Sequence, residues 1–136
     1  MGRLKLKDHA IQLDYVGVHE YHAVTFVPPT ADIKIDPSDI KLSVSFEKYH
    51  EEDKLICVSL EAQIGEDDAE CGLPLFLKIV LTGFFKVNED AFEKKYIEHF
   101  AKNNVPFILL PYMRVNIYAL SLRCGISPII LPLSEV

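Results

Sequence analysis

The chain has no cysteine motif. Cys57, Cys71 and Cys124 are odd in number and none sits at metal-ligand spacing from another, which argues for reduced thiols in a reducing compartment. Cys57 and Cys124 fall in apolar patterns and read as packing residues. Positive charge is scarce too: the formal net charge is −6, which argues against nucleic acid as a main partner and weakly favours basic ones. No uninterrupted apolar run approaches the roughly 20 residues that cross a bilayer, so no membrane insertion is expected. The opening MGRLKLKDHAIQLDYV lacks the apolar core of a secretory signal, and Leu6 stands where a myristoylation signal needs Ser or Thr. The cytoplasm is the expected compartment. There is no internal repeat and no low-complexity segment.

The chain does have enough apolar residues, 49% of its 136, for one domain spanning 1–136 with a real core. Four strands are expected first. Tyr15 to Val27 is rich in β-branched and aromatic residues and ends at Pro28-Pro29. Ile40, Leu42, Val44 and Phe46 alternate with Lys41, Ser43, Ser45 and Glu47, the period of a strand with one wet face. After a charged turn at Tyr49 to Asp53, Ile56, Val58, Leu60, Ala62 and Ile64 alternate with Ser59, Glu61 and Gln63. Beyond the acidic turn Gly65 to Gly72, Leu75 to Val87 is apolar on both faces and is expected to be covered on both. Asn88 to Asn104 carries Phe92, Tyr96, Ile97 and Phe100 at helical spacing, a short amphipathic helix. Strands first and helices after, with short loops, give an α+β class with a four-stranded antiparallel sheet.

Val105 to Leu133 is the most unusual stretch. Pro111 suits the first turn of a helix, Arg123 its last turn and Gly125 the left-handed position beyond it. At 100° per residue, Tyr112, Val115, Ala119 and Leu122 form one apolar arc, and Met113, Ile117, Leu120 and Cys124 form another. A helix with two apolar arcs needs two partners. Surplus apolar surface on this helix and on the fourth strand points to self-association, because each large side chain left in water forgoes about 1.5–3 kcal/mol.

No catalytic constellation emerges. His9, His19, His22, His50 and His99 read as exposed residues of strands and loops, with no ligand pair among them. A Cys71–His50 nucleophile pair has no motif behind it. The turn GEDDAECG lacks the spacing of a calcium loop, and Gly65, Gly72, Gly83 and Gly125 build no phosphate cradle. Neither a metal nor a cofactor is expected, and the protein reads as a non-enzyme.

The run Phe107-Ile108-Leu109-Leu110-Pro111-Tyr112-Met113-Arg114, followed by Cys124-Gly125-Ile126-Ser127-Pro128 and Leu131-Pro132, resembles the SecB export-chaperone family. The likeness extends through Gly83-Phe84-Phe85 and the Ile40 to Phe46 strand, from about Val16 onward. It implies an ATP-independent holdase for unfolded preproteins, supporting export, in a tetramer that is a dimer of dimers. Alternatives are a chaperone dedicated to one client such as an antitoxin, a partner-binding module that does not chaperone, and a small thiol enzyme. The resemblance implies a client groove walled by Ile40, Leu42, Val44 and Phe46 with Phe76, Phe84 and Tyr112, the Thr30 to Asp39 connection being the crossover loop. It implies oligomer contacts at Leu77, Ile79 and Leu81, joined by Met113, Ile117 and Leu120. At the family's acidic positions for docking the SecA motor stand Ala23, Val27, Phe76 and Lys78, so that docking is not matched. Nothing after Pro132-Leu133 resembles the family's longer C-terminal helix, which implies a groove more open on one side.

Overall fold

In the computed structural model, which describes residues 8–28 and 32–132, the chain is a four-stranded sheet with two helices after it. The amino-terminal heptapeptide, positions 29–31 of the crossover connection and the tail after Pro132 lie outside the described residues. The strands are β1 (Ile11–Thr25), β2 (Ile40–Phe46), β3 (Leu55–Ile64) and β4 (Leu75–Val87). They lie in the order β1-β4-β3-β2, with every neighbour antiparallel. The short loops after β2 and β3 enforce hairpins, whereas β1 and β2 lie at opposite edges of the sheet, with β4 and β3 between them.

Register determines which side chains share a face, because directly opposed residues point the same way. Leu77, Ile79 and Leu81 of β4 oppose Ile64, Ala62 and Leu60 of β3, which in turn oppose Ile40, Leu42 and Val44 of β2. This is the core face. Phe76, Lys78, Val80, Thr82 and Phe84 point to the other face and are half-buried, with no helix laid over them. The expectation that β4 is covered on both faces therefore fails within one chain.

The short helix expected at Asn88 to Asn104 is confined to the 3-10 turn Lys94–Tyr96 and α1 (Ile97–Asn103). It is followed at once by α2 (Val105–Arg123), which lies on β3 and β4. Pro106 occupies the first turn of α2, and Pro111, expected there, lies inside the helix. Pro111 is tolerated because it is on the exposed side, where the carbonyl it leaves unbonded can reach water. Gly125 has φ +72°, the left-handed helix stop expected of it. Gly83 lets the helix come close: a Cβ there would lie 2.8 Å from Leu109 Cδ2.

After Gly125 the chain folds back on α2. Ile126, Ile129 and Leu131 are buried, and Ser121 Oγ accepts a hydrogen bond from the Ile129 N–H while donating to the Ile117 carbonyl. The Arg114 guanidinium donates to the carbonyls of Leu131 and Pro132 at 2.9 and 3.1 Å.

Candidate functional site

The two arcs of α2 have opposite fates. Met113 and Ile117 are fully buried and Leu120 nearly so, packed with Val105 and Leu109 into the core. Turned away from the sheet are Phe107, Ile108, Tyr112, Val115, Tyr118 and Leu122, all exposed, with Val115 reaching 68%. By helical geometry these six fall within one arc of about 140°. These are six of the thirteen exposed large hydrophobic side chains among the described residues. Tyr112 stands at the edge of the arc, on the flank opposite Arg114.

The six positions expected as oligomer contacts, Leu77, Ile79, Leu81, Met113, Ile117 and Leu120, lie between sheet and helix. All six are at most 5% exposed inside a single chain, where sheet and helix bury one another, so they present almost nothing to a second copy. The outward arc is the free one. Sequence reasoning found two arcs but could not tell which would meet the sheet. Phe107, Ile108 and Tyr118 are absent from the arcs read in the sequence, the first two because they precede Pro111, where the sequence pattern starts the helix.

The expected groove divides. Ile40, Leu42, Val44 and Phe46 do form one row on the helix-bearing face. Leu42 and Val44 are 42% and 46% exposed, while Ile40 and Phe46 pack partly against the core. Phe76 and Phe84 cannot join that row, since they point through the opposite face of the sheet. Period-2 alternation separates the two faces of β4 but does not say which one faces β2's apolar row; the register does.

On the opposite face, Phe84 meets Tyr15 with ring centroids 6.2 Å apart, and Ser59 hydrogen-bonds Thr82 at 3.0 Å. The Lys78 ammonium lies 3.3 Å from Glu20 and 3.5 Å from Glu61. The hydrogen bond to the Glu20 carboxylate, then the charges of Glu20 and Glu61, hold the ammonium above its ordinary pKa. The open face therefore carries carboxylates, and a single lysine offsets one of the two charges of Glu20 and Glu61. Ala23 opposes Leu77 and so belongs to the core face, which separates it from Phe76 and Lys78. Those aligned positions make no single surface.

Chemistry is sparse elsewhere. All five histidines are exposed. Among the described residues no group of three or more His, Cys, Asp or Glu is placed to hold a metal ion. Burial pushes the Cys57 thiol up, with a smaller contribution from Glu47, and burial alone raises Cys124. The helical stretch Lys94–Arg123 is long and apolar enough in composition to cross a membrane, unlike the uninterrupted runs of the sequence. Its inner arc is packed on the sheet of its own chain, as in a core helix.

No protein-family model matches the sequence. An uncharacterized protein of Methanocaldococcus jannaschii, MJ0357, is 32% identical over 105 residues, which are 76% of this chain and 65% of that protein. The match thus spans somewhat less than two thirds of the archaeal relative. Among solved structures, the SecB-like chaperone Rv1957 of Mycobacterium tuberculosis, in complex with a ChAD peptide from the HigA1 antitoxin, superposes with a TM-score of 0.71. The superposition covers 92% of this chain and 91% of that one at 15% sequence identity. The antiparallel four-stranded sheet with helices after it is a SecB-like fold.

Proposed function

We propose that this chain is a SecB-like holdase: it binds unfolded polypeptide segments on apolar surface, without nucleotide, in the cytoplasm. The observation that carries this reading is the exposed pair Leu42 and Val44, on the helix-bearing face of a fold whose solved neighbour holds a peptide. In a chain free to bury them, two such neighbouring side chains would be expected to sit under a helix or loop. Several anchors of this kind, each contributing about 1.5–3 kcal/mol before ordering costs, give affinity that is useful and reversible. Such contacts are non-directional and tolerate many client sequences.

The outward arc of α2 supports self-association as part of the same reading. Buried between copies it would complete a homo-oligomer, a tetramer by family resemblance, and leave the β2 row open for clients. A client dedicated to this chain, such as an antitoxin, is supported by the peptide that the neighbour Rv1957 holds. Docking to the SecA motor has less support, since Ala23, Val27, Phe76 and Lys78 stand at the family's acidic positions and Lys78 offsets one of the two charges of Glu20 and Glu61 on the open face.

Dilution of a denatured, slow-folding preprotein into buffer, followed by light scattering, tests the reading. Suppression that saturates at a fixed oligomer-to-client ratio is expected, weakened in Leu42→Asp and Val44→Asp with their folds intact. A folded protein that suppresses nothing and binds no unfolded chain would refute it.

A further inference from the structure

Apart from the holdase reading, we infer that His9 is a pH-sensitive clasp: its neutral imidazole ties the start of β1 and seats it on α1. β1 is an edge strand, and its backbone bonds show which way its first residues turn. The Asn88 N–H donates to the Ala10 carbonyl at 2.8 Å, while the Val87 N–H turns away to the Lys54 carbonyl. Bonded and non-bonded pairs alternate in an antiparallel ladder, so Ile11, opposite Val87, points its N–H to the open edge. Among the described residues no strand pairs with that edge. The acceptor is instead His9 Nδ1, at 3.0 Å.

The same ring stacks on Phe100 of α1, with centroids 5.4 Å apart and planes 21° from parallel, and lies 6.1 Å from Phe92. Beside it a cleft of about 450 Å³, lined by His9, Ile11, Phe100, Asn104, Phe107 and Ile108, opens onto the outward arc of α2. One side chain thus satisfies the edge amide and covers the aromatic wall of the cleft.

A ring nitrogen that accepts carries no proton, so the neutral ring holds its hydrogen at Nε2. Protonation at Nδ1 would set two donors head to head, and the hydrogen bond is lost. Imidazoles as a class take up a proton around pH 6.5. A bond that only the neutral ring makes is whole above that range and lost below it. Attraction of the cation to the Phe100 face can keep the ring nearby, but it offers Ile11 no acceptor. Acid therefore frees the amide at the edge of β1 and loosens the lip of the cleft.

The charged groups around His9 do not replace that bond. Among the described residues, the histidines with a carboxylate at 3.6 Å are His22 and His50. On α1, Glu98 and Lys102 pair with each other at 2.7 Å and line a different cleft, with Phe46 and Tyr49. His99 shares a hydrogen bond with Asn103. In the turn that carries Phe92, Glu89 is engaged by Tyr49 and Lys94, and Glu93 by Lys95. Asp90 and Asp8 are exposed, and Phe107 and Ile108 of α2 carry no charge.

Amide hydrogen exchange at Ile11, corrected for the intrinsic pH dependence of exchange, tests the clasp in the full chain. Protection is expected to fall roughly fivefold or more from about pH 8 to about pH 5. His9→Asn keeps an acceptor at the same reach that takes no proton, so its protection should stay level. His9→Phe keeps a ring for Phe100 without an acceptor and should be poorly protected at every pH. Level protection in the parent would overturn the inference, and so would a Phe variant protected like the parent. An Asn variant that declines in step with the parent would overturn it too, by assigning the acid response to His19, His22, His50 or His99.

Discussion

Leu109 sits directly on Gly83: a Cβ at Gly83 would meet Leu109 Cδ2 at 2.8 Å and Phe85 Cε2 at 3.0 Å. Glycine here sets how closely α2 approaches β4. Gly83→Ala should displace the helix and destabilise the chain by about 1–3 kcal/mol, as overpacking does. Urea unfolding checks it. A variant as stable as the parent would mean that Leu109 can swing aside without cost.

Charging the centre of β4 should unfold the chain rather than separate copies. Ile79 is fully buried between sheet and helix, and an aspartate there would lose its hydration with no partner. Ile79→Asp should lose its cooperative unfolding transition. A folded, lighter species in sedimentation would restore Ile79 to an intersubunit role.

The outward arc should behave oppositely. Val115 is 68% exposed in the single chain, so Val115→Asp should alter its intrinsic stability within roughly 0.5 kcal/mol. The mass in solution should fall if α2 joins copies. An unchanged mass would assign the arc to a different partner.

Ser121 ties the carboxy-terminal segment to α2. Ser121→Ala leaves the buried Ile129 N–H without its acceptor, a loss of about 1–3 kcal/mol. Hydrogen exchange at Ile129 should accelerate accordingly. Arg114→Ala should release the segment's far end, at Leu131 and Pro132, with a smaller effect because that end is partly solvated.

The cysteines predict an alkaline weakness. Cys57 and Cys124 have thiols raised above the ordinary value of 9.0, so the folded chain keeps protons that the unfolded chain releases. Stability from these groups is whole below pH 9.0 and declines as pH rises from there toward their raised folded values. Replacing both by alanine should flatten that decline in urea titrations at rising pH. A decline of the same slope would place its origin elsewhere.

Much of this architecture is legible in the sequence because it is local. Period-2 alternation sets β2 and β4 at the bounds the structure has, and the doubled apolar pattern of α2 shows that the helix carries apolar side chains on two sides. Gly125 marks its stop because few other residues take a positive φ without strain. What the sequence could not decide is which arc meets the sheet, and which face of β4 the helix covers. Both arcs and both faces are apolar, so burial energy alone barely distinguishes them. The choice depends on non-local matters: the register that aligns Leu77, Ile79 and Leu81 with β3, the fit of Leu109 over Gly83, and the grip of Ser121 and Arg114 on the returning chain. Pattern along the chain determined that there would be surplus apolar surface. Only the tertiary structure decided that it would be Phe107, Tyr112, Val115 and Leu122, with Leu42 and Val44 at the open edge, because only packing shows which side chains find partners.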